Sequence, residues 1–414
     1  MYFIYTFLFT AGIVLIFPWY FLRFRRYLPT LSDRVGFLKV AQLQRSIWIH
    51  AVSVGEVKAV ETLIERLRTQ FPSQPIVVST ATPAGQQLAR SRSDIIDHAF
   101  YFPLDLPGCI KRVLNRIRPE IVIIAETEIW PNFLRVCRQR SVPVMMVNGR
   151  ISDRSFARYR LIRGWLQRVL ADYTMIGMQS ETDRVRIEAI GGDPGKVTVL
   201  GNLKYDVAAA GRPLDPALAA YLRLRTPVWI AASTMPGEEE FILSAFRELQ
   251  PKFPSLRLVI APRHPERFSP VESLVRSRGH SCVRRTALDS DADILLLDTI
   301  GELASAFEHA SVVFMGGTLA PKGGHNVLEP ARYRNPIVFG PHMENFRDIA
   351  RLFVEGHAGV QIKSADELAP TIQKILSNPT FAADLGMNAR NLVDQNTGAT
   401  DRVLTFLRLT EARR

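Results

Sequence analysis

The sequence predicts an α/β protein with two doubly wound parallel-sheet domains that follow an N-terminal membrane-anchor helix. Three observations lead to this prediction: an uncharged run over residues 2–22, short apolar runs that alternate with amphipathic helices, and a polar, proline-marked interruption at residues 205–227. Strands that alternate with helices in this way form parallel sheets with helical crossovers. The predicted boundaries are 1–26 for the anchor, 30–207 and 208–385 for the two domains, and 386–414 for C-terminal helices that could pack back on the first domain.

The apolar run at residues 2–22 has about the length that a bilayer core requires. Arg23, Arg25 and Arg26 follow it directly, whereas a cleavable signal peptide carries its positive charge before the apolar run. By the positive-inside rule these arginines stay in the cytoplasm. We therefore predict a single-pass anchor in the inner (cytoplasmic) membrane, with the globular domains on its cytoplasmic face. A helix buried in the globular protein is the alternative.

The charge balance favours anionic partners. The chain has 52 Lys and Arg against 40 Asp and Glu, a net charge of +12. Nothing in it resembles a nucleic-acid recognition module, which leaves phospholipid headgroups or a phosphorylated substrate. Cys109, Cys137 and Cys282 lack the spacing of a metal or disulfide site, so we expect plain buried residues of a reducing compartment.

The loops that follow the predicted strands should carry the chemistry, because ligands of parallel sheets bind beyond the carboxyl ends of the strands, here in the cleft between two domains. The first such loop, after IWIHAV (47–52), holds Ser53 and Glu56 at a helix start. A carboxylate there can act as a general base, although helix capping alone would also explain it. The next loop, at 79–85, is either an anion or sugar site or an ordinary N-cap.

A second acidic motif follows the apolar strand EIVIIA. Glu126 and Glu128 are one residue apart, so in an extended strand end their side chains point to the same side. Trp130 beside them resembles a sugar-stacking platform. Two glutamates at this place indicate function more than structure, though a structural role stays open.

The segment Asn148 to Ser155 follows the next strand and is rich in arginine. Arg150 and Arg154 could bind phosphate through their guanidinium forks, and a solvated basic face is the alternative.

In the second half, Arg263 and His264 follow a strand where a nucleotide phosphate could be held. The run Met315 to Thr318, continued by Lys322 to Pro330, is rich in glycine, which lets the backbone approach a phosphate. We expect a helix from His325 to present its N–H groups and Glu329 to accept hydrogen bonds from ribose hydroxyls. The run is neither a Walker loop nor a GxGxxG motif.

Six motifs together resemble the 3-deoxy-D-manno-octulosonic acid (Kdo) transferases. They are VSVGE (52–56), AETEIWPN (125–132), NGRISDRS (148–155), GNLKYD (201–206), PRHPER (262–267) and GGHNVLEPA (323–331). The resemblance covers nearly the whole chain. It implies a two-domain GT-B fold and an inverting glycosyltransferase of lipopolysaccharide biosynthesis, with neither metal nor cofactor. The implied donor is CMP-Kdo, and the implied acceptor is the tetra-acylated, bisphosphorylated lipid A precursor.

The resemblance also implies roles for individual residues. Glu56 would be the general base, and Glu128, with Glu126, a second essential carboxylate near the acceptor or the transferred sugar. The implied donor-site residues are Arg263, His264, Gly323, Gly324, His325, Asn326 and Glu329. We assign Glu126, Asn148, Arg150 and Arg154 to the acceptor. Met235 departs from the family pattern, because the resemblance implies histidine at this position in many members.

Three other functions would fit parts of the sequence. A nucleotide-sugar epimerase would share the fold, but its soluble substrate gives no reason for an anchor. A lipid A disaccharide synthase type of enzyme would use a UDP-sugar, and the VSVGE and AETEIWPN motifs disfavour it. A non-catalytic, membrane-tethered binding protein would not need both Glu56 and the glycine-rich segment.

Overall fold

A computed structural model describes residues 2–23, 30–206 and 214–411 of the chain. The chain divides into two compact units, one of residues 1–207 and 397–414 and one of residues 208–396. Each unit contains a seven-stranded sheet in which neighbouring strands are parallel. The predicted α/β class with two parallel sheets is confirmed.

The first strand of the first unit lies in the interior of its sheet. Its strands are β1 (Ser46–His50), β2 (Ile76–Thr80), β3 (His98–Tyr101), β4 (Pro119–Ala125), β5 (Val144–Gly149), β6 (Met175–Met178) and β7 (Val197–Val199). They lie in the order β3-β2-β1-β4-β5-β6-β7. The chain thus builds outward from β1 to β3 and then returns to the other side of β1. The switch point between β1 and β4 is where this topology leaves a crevice for a ligand.

Helices connect these strands and cover both faces of the sheet. They are α1 (Tyr2–Arg23), α2 (Leu31–Arg34), α3 (Val54–Ala59), α4 (Glu61–Gln70), α5 (Pro83–Ser91), α6 (Pro107–Ile117), α7 (Pro131–Gln139), α8 (Asp153–Leu161), α9 (Arg163–Leu170), α10 (Glu181–Ala189) and, from the end of the chain, α19 (Ala399–Glu411). Because both faces are covered, the strands are apolar throughout rather than alternating. Trp48 packs in the core on one face, and Ile47 and Ile49 pack in the core on the other.

The last helix returns to the first unit. Asp206 accepts hydrogen bonds from the backbone N–H groups of Gly398 (2.6 Å) and Thr400, and Val403 and Leu407 lie in the same core cluster as Ile49. The C-terminal segment is helical, as predicted. Its first helix, however, runs to Asn396 and belongs to the second unit.

The second unit repeats the plan of the first. Its strands are β8 (Val228–Thr234), β9 (Arg257–Pro262), β10 (Cys282–Arg284), β11 (Ile294–Leu296), β12 (Val312–Met315), β13 (Ile337–Phe339) and β14 (Val360–Gln361). Its helices are α11 (Pro216–Arg223), α12 (Glu238–Leu249), α13 (Phe268–Ser277), α14 (Leu303–Ala306), α15 (Leu328–Ala331), α16 (Arg347–Glu355), α17 (Leu368–Ser377) and α18 (Pro379–Asn396). The strand order β10-β11-β9-β8-β12-β13-β14 places the switch point between β8 and β12.

The N-terminal segment forms a helix, but the predicted single-pass anchor is not supported. Across residues 2–23, 30–206 and 214–411, no helix combines the length and apolarity needed to cross a membrane. The first half of α1 is instead tied to the first unit by polar contacts. The Tyr2 hydroxyl donates to Asp172 (2.9 Å) and the Thr6 hydroxyl to Asn132 (3.0 Å). Arg25 and Arg26 lie outside the described residues.

Two local predictions need correction. The helix expected to start near Glu56 starts at Val54 and is interrupted at Val60, whose ψ of 1° departs from helical geometry, so two helices, α3 and α4, follow β1. The expected polar interruption at 205–227 contains α11, which Asp215 caps, while residues 207–213 lie outside the described part. The three cysteines are free and buried, as expected.

Candidate active site

Two acidic loops meet at the switch point of the first sheet. Glu56 lies in α3 just after β1, and Glu126 and Glu128 follow β4, the strand that pairs with β1. The negative charges of Glu126 and Glu128 both act on the Glu56 carboxyl and raise its pKa. The fold therefore brings Glu56 close to two carboxylates that lie about 70 residues later in the chain.

Glu56 takes part in a capping box at the start of α3. Its carboxylate accepts hydrogen bonds from the Val52 N–H (2.8 Å) and the Ser53 hydroxyl (3.0 Å), and Ser53 in turn accepts from the Glu56 N–H (3.4 Å). Burial, the largest effect, raises the pKa of Glu56 to about 7, and the two hydrogen bonds oppose the rise. The capping and general-base interpretations are thus compatible. The capping hydrogen bonds fix the position of the Glu56 carboxylate, and burial raises its pKa.

The expected strand geometry of the second motif was wrong. β4 ends at Ala125, and Glu126 adopts a left-handed conformation (φ 60°), so the period-two argument does not apply to Glu126 and Glu128. Its N–H still donates to Val147 on β5 (2.8 Å). A non-glycine residue in this conformation costs of order 1–2 kcal/mol, and such strain is common at functional sites.

Glu128 is partly buried and follows the strained Glu126 by two positions. Burial and the nearby Glu126 charge raise its pKa, and the adjacent Trp130 indole opposes the rise. Trp130 is itself partly buried and packs on Phe102, with 5.6 Å between ring centroids. Its role as a sugar-stacking platform stays a prediction.

Residues that the sequence argument did not single out support this loop. The buried Tyr173 donates its hydroxyl to the Glu128 carbonyl (2.7 Å). Asp105 accepts from the N–H groups of Asn132 (3.1 Å) and Phe133 (2.7 Å), which fixes the start of α7. Asp105 lies 27 positions before Asn132, so no local pattern could have indicated the contact.

The arginine-rich segment after β5 joins the same loop cluster. The Thr127 hydroxyl donates to the Arg150 carbonyl (2.6 Å) and accepts from the Arg150 N–H (2.8 Å), so the two loops are tied together. Arg150 and Arg154 are exposed. Asn148 is only 1% exposed, and its side-chain oxygen accepts from the Leu203 N–H (3.0 Å). This internal bond weakens its assignment as an acceptor contact.

The loop at 79–85 has ordinary N-cap geometry. Thr82 caps α5 by accepting from the Gly85 N–H (3.1 Å), and its hydroxyl donates to Val52 in the Glu56 loop (3.3 Å). Of the two interpretations left open by the sequence, capping explains what is observed.

The predicted donor residues of the second unit follow two different strands. Arg263 and His264 follow β9 and are exposed, and the Arg263 N–H donates to Thr234 at the end of β8 (3.0 Å). Gly323 and Gly324 lie in the long connection after β12. Both have positive φ, 85° and 76°. A Cβ atom would lie 2.4 Å from Asn345 at the first and 2.5 Å from Met343 at the second, so this backbone requires glycine.

The helix expected from His325 is absent. α15 begins at Leu328 and has four residues, because the preceding glycines have non-helical φ angles. The Asn326 side chain accepts from the Leu328 N–H (3.1 Å) and donates to Glu329 (3.2 Å). Thus Asn326 and Glu329 form a pair, and four of the predicted residues, Gly323 to Asn326, lie in irregular backbone.

Glu238 is the residue of this region whose importance the sequence did not reveal. It is fully buried at the start of α12 and accepts hydrogen bonds from five backbone N–H groups, one after β8 and four after β12. The glycine-rich segment, whose backbone was expected to approach a phosphate, therefore already binds a carboxylate through the N–H groups of residues 317–320.

The chemistry available at these sites differs between the units. In the first unit, a carboxyl with a pKa of about 7 can accept a proton near neutral pH. The second unit offers exposed basic side chains after β9 and a glycine turn after β12. In the parts of the chain that the structure describes, no group of three His, Cys, Asp or Glu side chains could hold a metal ion.

Solved structures share this architecture. UDP-GlcNAc 2-epimerase from Neisseria meningitidis bound to UDP-GlcNAc matches with a TM-score of 0.56, covering 87% of this chain and 99% of that one at 11% identity. At such identity the likeness shows a common fold alone.

Sequence comparisons define the class. Residues 29–207 match the family model described as 3-deoxy-D-manno-octulosonic-acid transferase. A 3-deoxy-D-manno-octulosonic acid transferase of Haemophilus influenzae is 35% identical, covering 92% of each chain, and one of Bordetella pertussis is 30% identical, covering 95% of each. The protein is thus a glycosyltransferase with two doubly wound units. Within that class, the chain belongs to the 3-deoxy-D-manno-octulosonic acid (Kdo) transferase family, which confirms the resemblance. The epimerase alternative shares the fold but not the family.

Proposed function

We propose that the protein transfers Kdo from CMP-Kdo to a lipid A precursor in lipopolysaccharide biosynthesis, with inversion at the transferred sugar and Glu56 as general base. Membership of the Kdo transferase family supports the donor and the acceptor. One observation supports the base above all: Glu56 lies at the switch point of the first sheet with its pKa raised to about 7.

In the proposed reaction, a hydroxyl oxygen of the acceptor attacks the anomeric carbon of Kdo. Glu56 takes the proton of that hydroxyl, and the bond between Kdo and the CMP phosphate breaks with its electron pair leaving on CMP. A base whose pKa is close to the working pH is both ionised often enough and basic enough for this transfer. The capping hydrogen bonds from Val52 and Ser53 hold the carboxylate in place.

Glu128, together with Glu126, is proposed to contact the acceptor or the transferred sugar. A carboxylate accepts hydrogen bonds from sugar hydroxyls, and Glu128 is only partly buried. The support from Tyr173 and the strained conformation of Glu126 are consistent with a loop held in one geometry for binding.

The donor is proposed to bind to the second unit. Arg263 and His264 are exposed after β9, where a guanidinium group could bind the CMP phosphate as a fork. Gly323, Gly324, His325, Asn326 and Glu329 are proposed to form the rest of the nucleotide site. The Asn326–Glu329 hydrogen bond would orient Glu329 toward the ribose hydroxyls.

The acceptor is a phosphorylated membrane lipid, and the first unit has a basic surface for its phosphates and an apolar surface for the membrane. The exposed Arg150 and Arg154 are proposed to contact the phosphates. Phe3, Ile4 and Leu15 on α1 are 81%, 61% and 79% exposed, an apolar surface that we propose contacts the cytoplasmic membrane from its inner face.

The first test is a transfer assay with a matched control. The purified protein is incubated with CMP-Kdo, lipid A precursor and EDTA in detergent, and the lipid is followed by mass spectrometry. We expect Kdo addition by the wild type and none by Glu56→Ala. Glu120→Gln should stay active, because Glu120 lies at the opposite end of β4. Absence of product from folded wild type, or transfer from a UDP-sugar instead, would contradict the proposal.

A further inference from the structure

The switch-point crevice of the second sheet is filled by a side chain of the protein itself. Glu238 lies at the start of α12, immediately after β8, and its carboxylate reaches across to the segment that follows β12. One carboxylate oxygen accepts from the N–H groups of Thr318 (3.0 Å), Leu319 (2.9 Å) and Ala320 (3.2 Å). The other accepts from those of Met235 (2.9 Å) and Gly317 (2.7 Å).

This arrangement leaves no room for a ligand anion on the same groups. Backbone N–H groups at a switch point commonly bind the phosphate of a nucleotide. Here four consecutive N–H groups, at residues 317–320, are satisfied by a buried carboxylate. A phosphate placed there would lose these donors and would meet a like charge.

The fixed segment in turn supports the predicted donor residues. The Gly317 carbonyl accepts from the Gly324 N–H (2.9 Å), and a Cβ atom on Gly317 would lie 2.9 Å from the His325 ring. Thr318, also fully buried, accepts from the Gly340 N–H through its hydroxyl (2.8 Å). Movement of residues 317–320 would therefore displace Gly324 and His325 directly.

We infer that Glu238 is a positioning residue that takes the place of a phosphate in the crevice between β8 and β12 and thereby fixes the backbone of the donor site. The inference rests on the proposed function insofar as the donor binds at residues 323–329. It goes further by giving Glu238 a positioning role and by excluding the N–H groups of residues 317–320 as a site for the CMP phosphate.

The test compares Glu238→Gln with a buried control in the same unit. A glutamine has one acceptor oxygen, so either two or three of the five N–H groups face its NH₂ group. The control is Arg257→Met. Arg257 is also fully buried and hydrogen-bonded, but it begins β9 and so lies at the other end of the sheet. Both changes disrupt buried polar contacts, and only the first touches residues 317–320.

Two measurements follow. Hydrogen exchange by mass spectrometry, without ligand, should show faster exchange over 316–321 in Glu238→Gln and wild-type exchange there in Arg257→Met. Calorimetric titration with CMP should show at least about tenfold weaker binding by Glu238→Gln, which is a loss of about 1.4 kcal/mol, because the backbone that carries Gly324 and His325 is no longer fixed. Arg257→Met should stay within about twofold of wild type, even where its melting temperature falls equally.

The outcomes separate this inference from the proposed function. Unchanged exchange over 316–321 in Glu238→Gln, or an equal loss of CMP affinity in Arg257→Met, would overturn the positioning role. A wild type that does not bind CMP would refute the donor assignment, and the exchange data would still decide whether Glu238 fixes the segment. If Glu238→Gln does not fold, Glu238→Asp, which keeps the charge on a shorter side chain, should give exchange and affinity changes in the same direction.

Discussion

The raised pKa of Glu56 makes a quantitative prediction about the pH dependence of the transfer reaction. Burial moves this pKa from 4.5 to about 7, which corresponds to about 3 kcal/mol of disfavoured ionisation at about 1.4 kcal/mol per pH unit. Only the ionised carboxylate can accept the proton of the acceptor hydroxyl. The value of kcat/KM, which reports the free enzyme, should therefore fall about tenfold between a plateau near pH 8 and pH 6, because about one carboxyl in ten is ionised at pH 6.

The assay follows initial rates of Kdo transfer from pH 5.5 to 9 at constant ionic strength and at acceptor concentrations well below KM, so that the rates report kcat/KM. Glu126→Gln serves as the informative variant, since the Glu126 charge contributes to the raised pKa of Glu56. Removing that charge should move the acidic limb to lower pH. Glu120→Gln, at the other end of β4, should leave the profile unchanged.

A base with an ordinary carboxyl pKa would behave differently. With a pKa of 4.5, more than about nine-tenths of the carboxyl is ionised at pH 6, and kcat/KM would hardly change between pH 6 and 8. A flat profile over this range, in protein that stays folded, would refute the argument that burial tunes Glu56. An acidic limb that persists with full activity in Glu56→Gln would refute its role as base.

Three further predictions follow. Folded Glu56 keeps its proton above pH 4.5, where the unfolded chain loses it, so stability falls as pH rises from 4.5 to 7. Glu56→Gln should therefore gain stability relative to wild type, by up to about 3 kcal/mol between pH 5 and 8, in thermal unfolding; a pH-independent difference would contradict this. Glu128→Gln should lower kcat at least about 100-fold with little change in melting temperature, and wild-type rates would remove Glu128 from the site. Gly324→Ala should weaken CMP binding and destabilise the protein by more than Gly279→Ala. Both positions have positive φ, but only at Gly324 would the new Cβ atom meet a neighbour, Met343 at 2.5 Å; equal effects would count against the steric argument.

Much of the fold and part of the candidate site could be predicted from the sequence, because those features depend on local patterns. Apolar runs such as EIVIIA alternate with helical periodicity, and this alternation specifies parallel sheets that are covered on both faces. The motifs that carry the family resemblance are short and contiguous. Glu56 and Glu128 were therefore identifiable as candidates, and the short connection after each strand placed them at the carboxyl edge of a sheet.

The tertiary structure alone decided which of these loops meet. The strand order brings β4 beside β1, and only this pairing places Glu128 near Glu56 and raises the pKa of the latter. The contacts of Glu238 with residues 317–320 could not be predicted from the sequence either, since these partners lie about 80 positions away. The start of α15 at Leu328 depended on the positive φ angles of Gly323 and Gly324, where a Cβ atom would meet Asn345 and Met343. Contacts between distant segments are set by packing and burial, which a local pattern of residues does not encode.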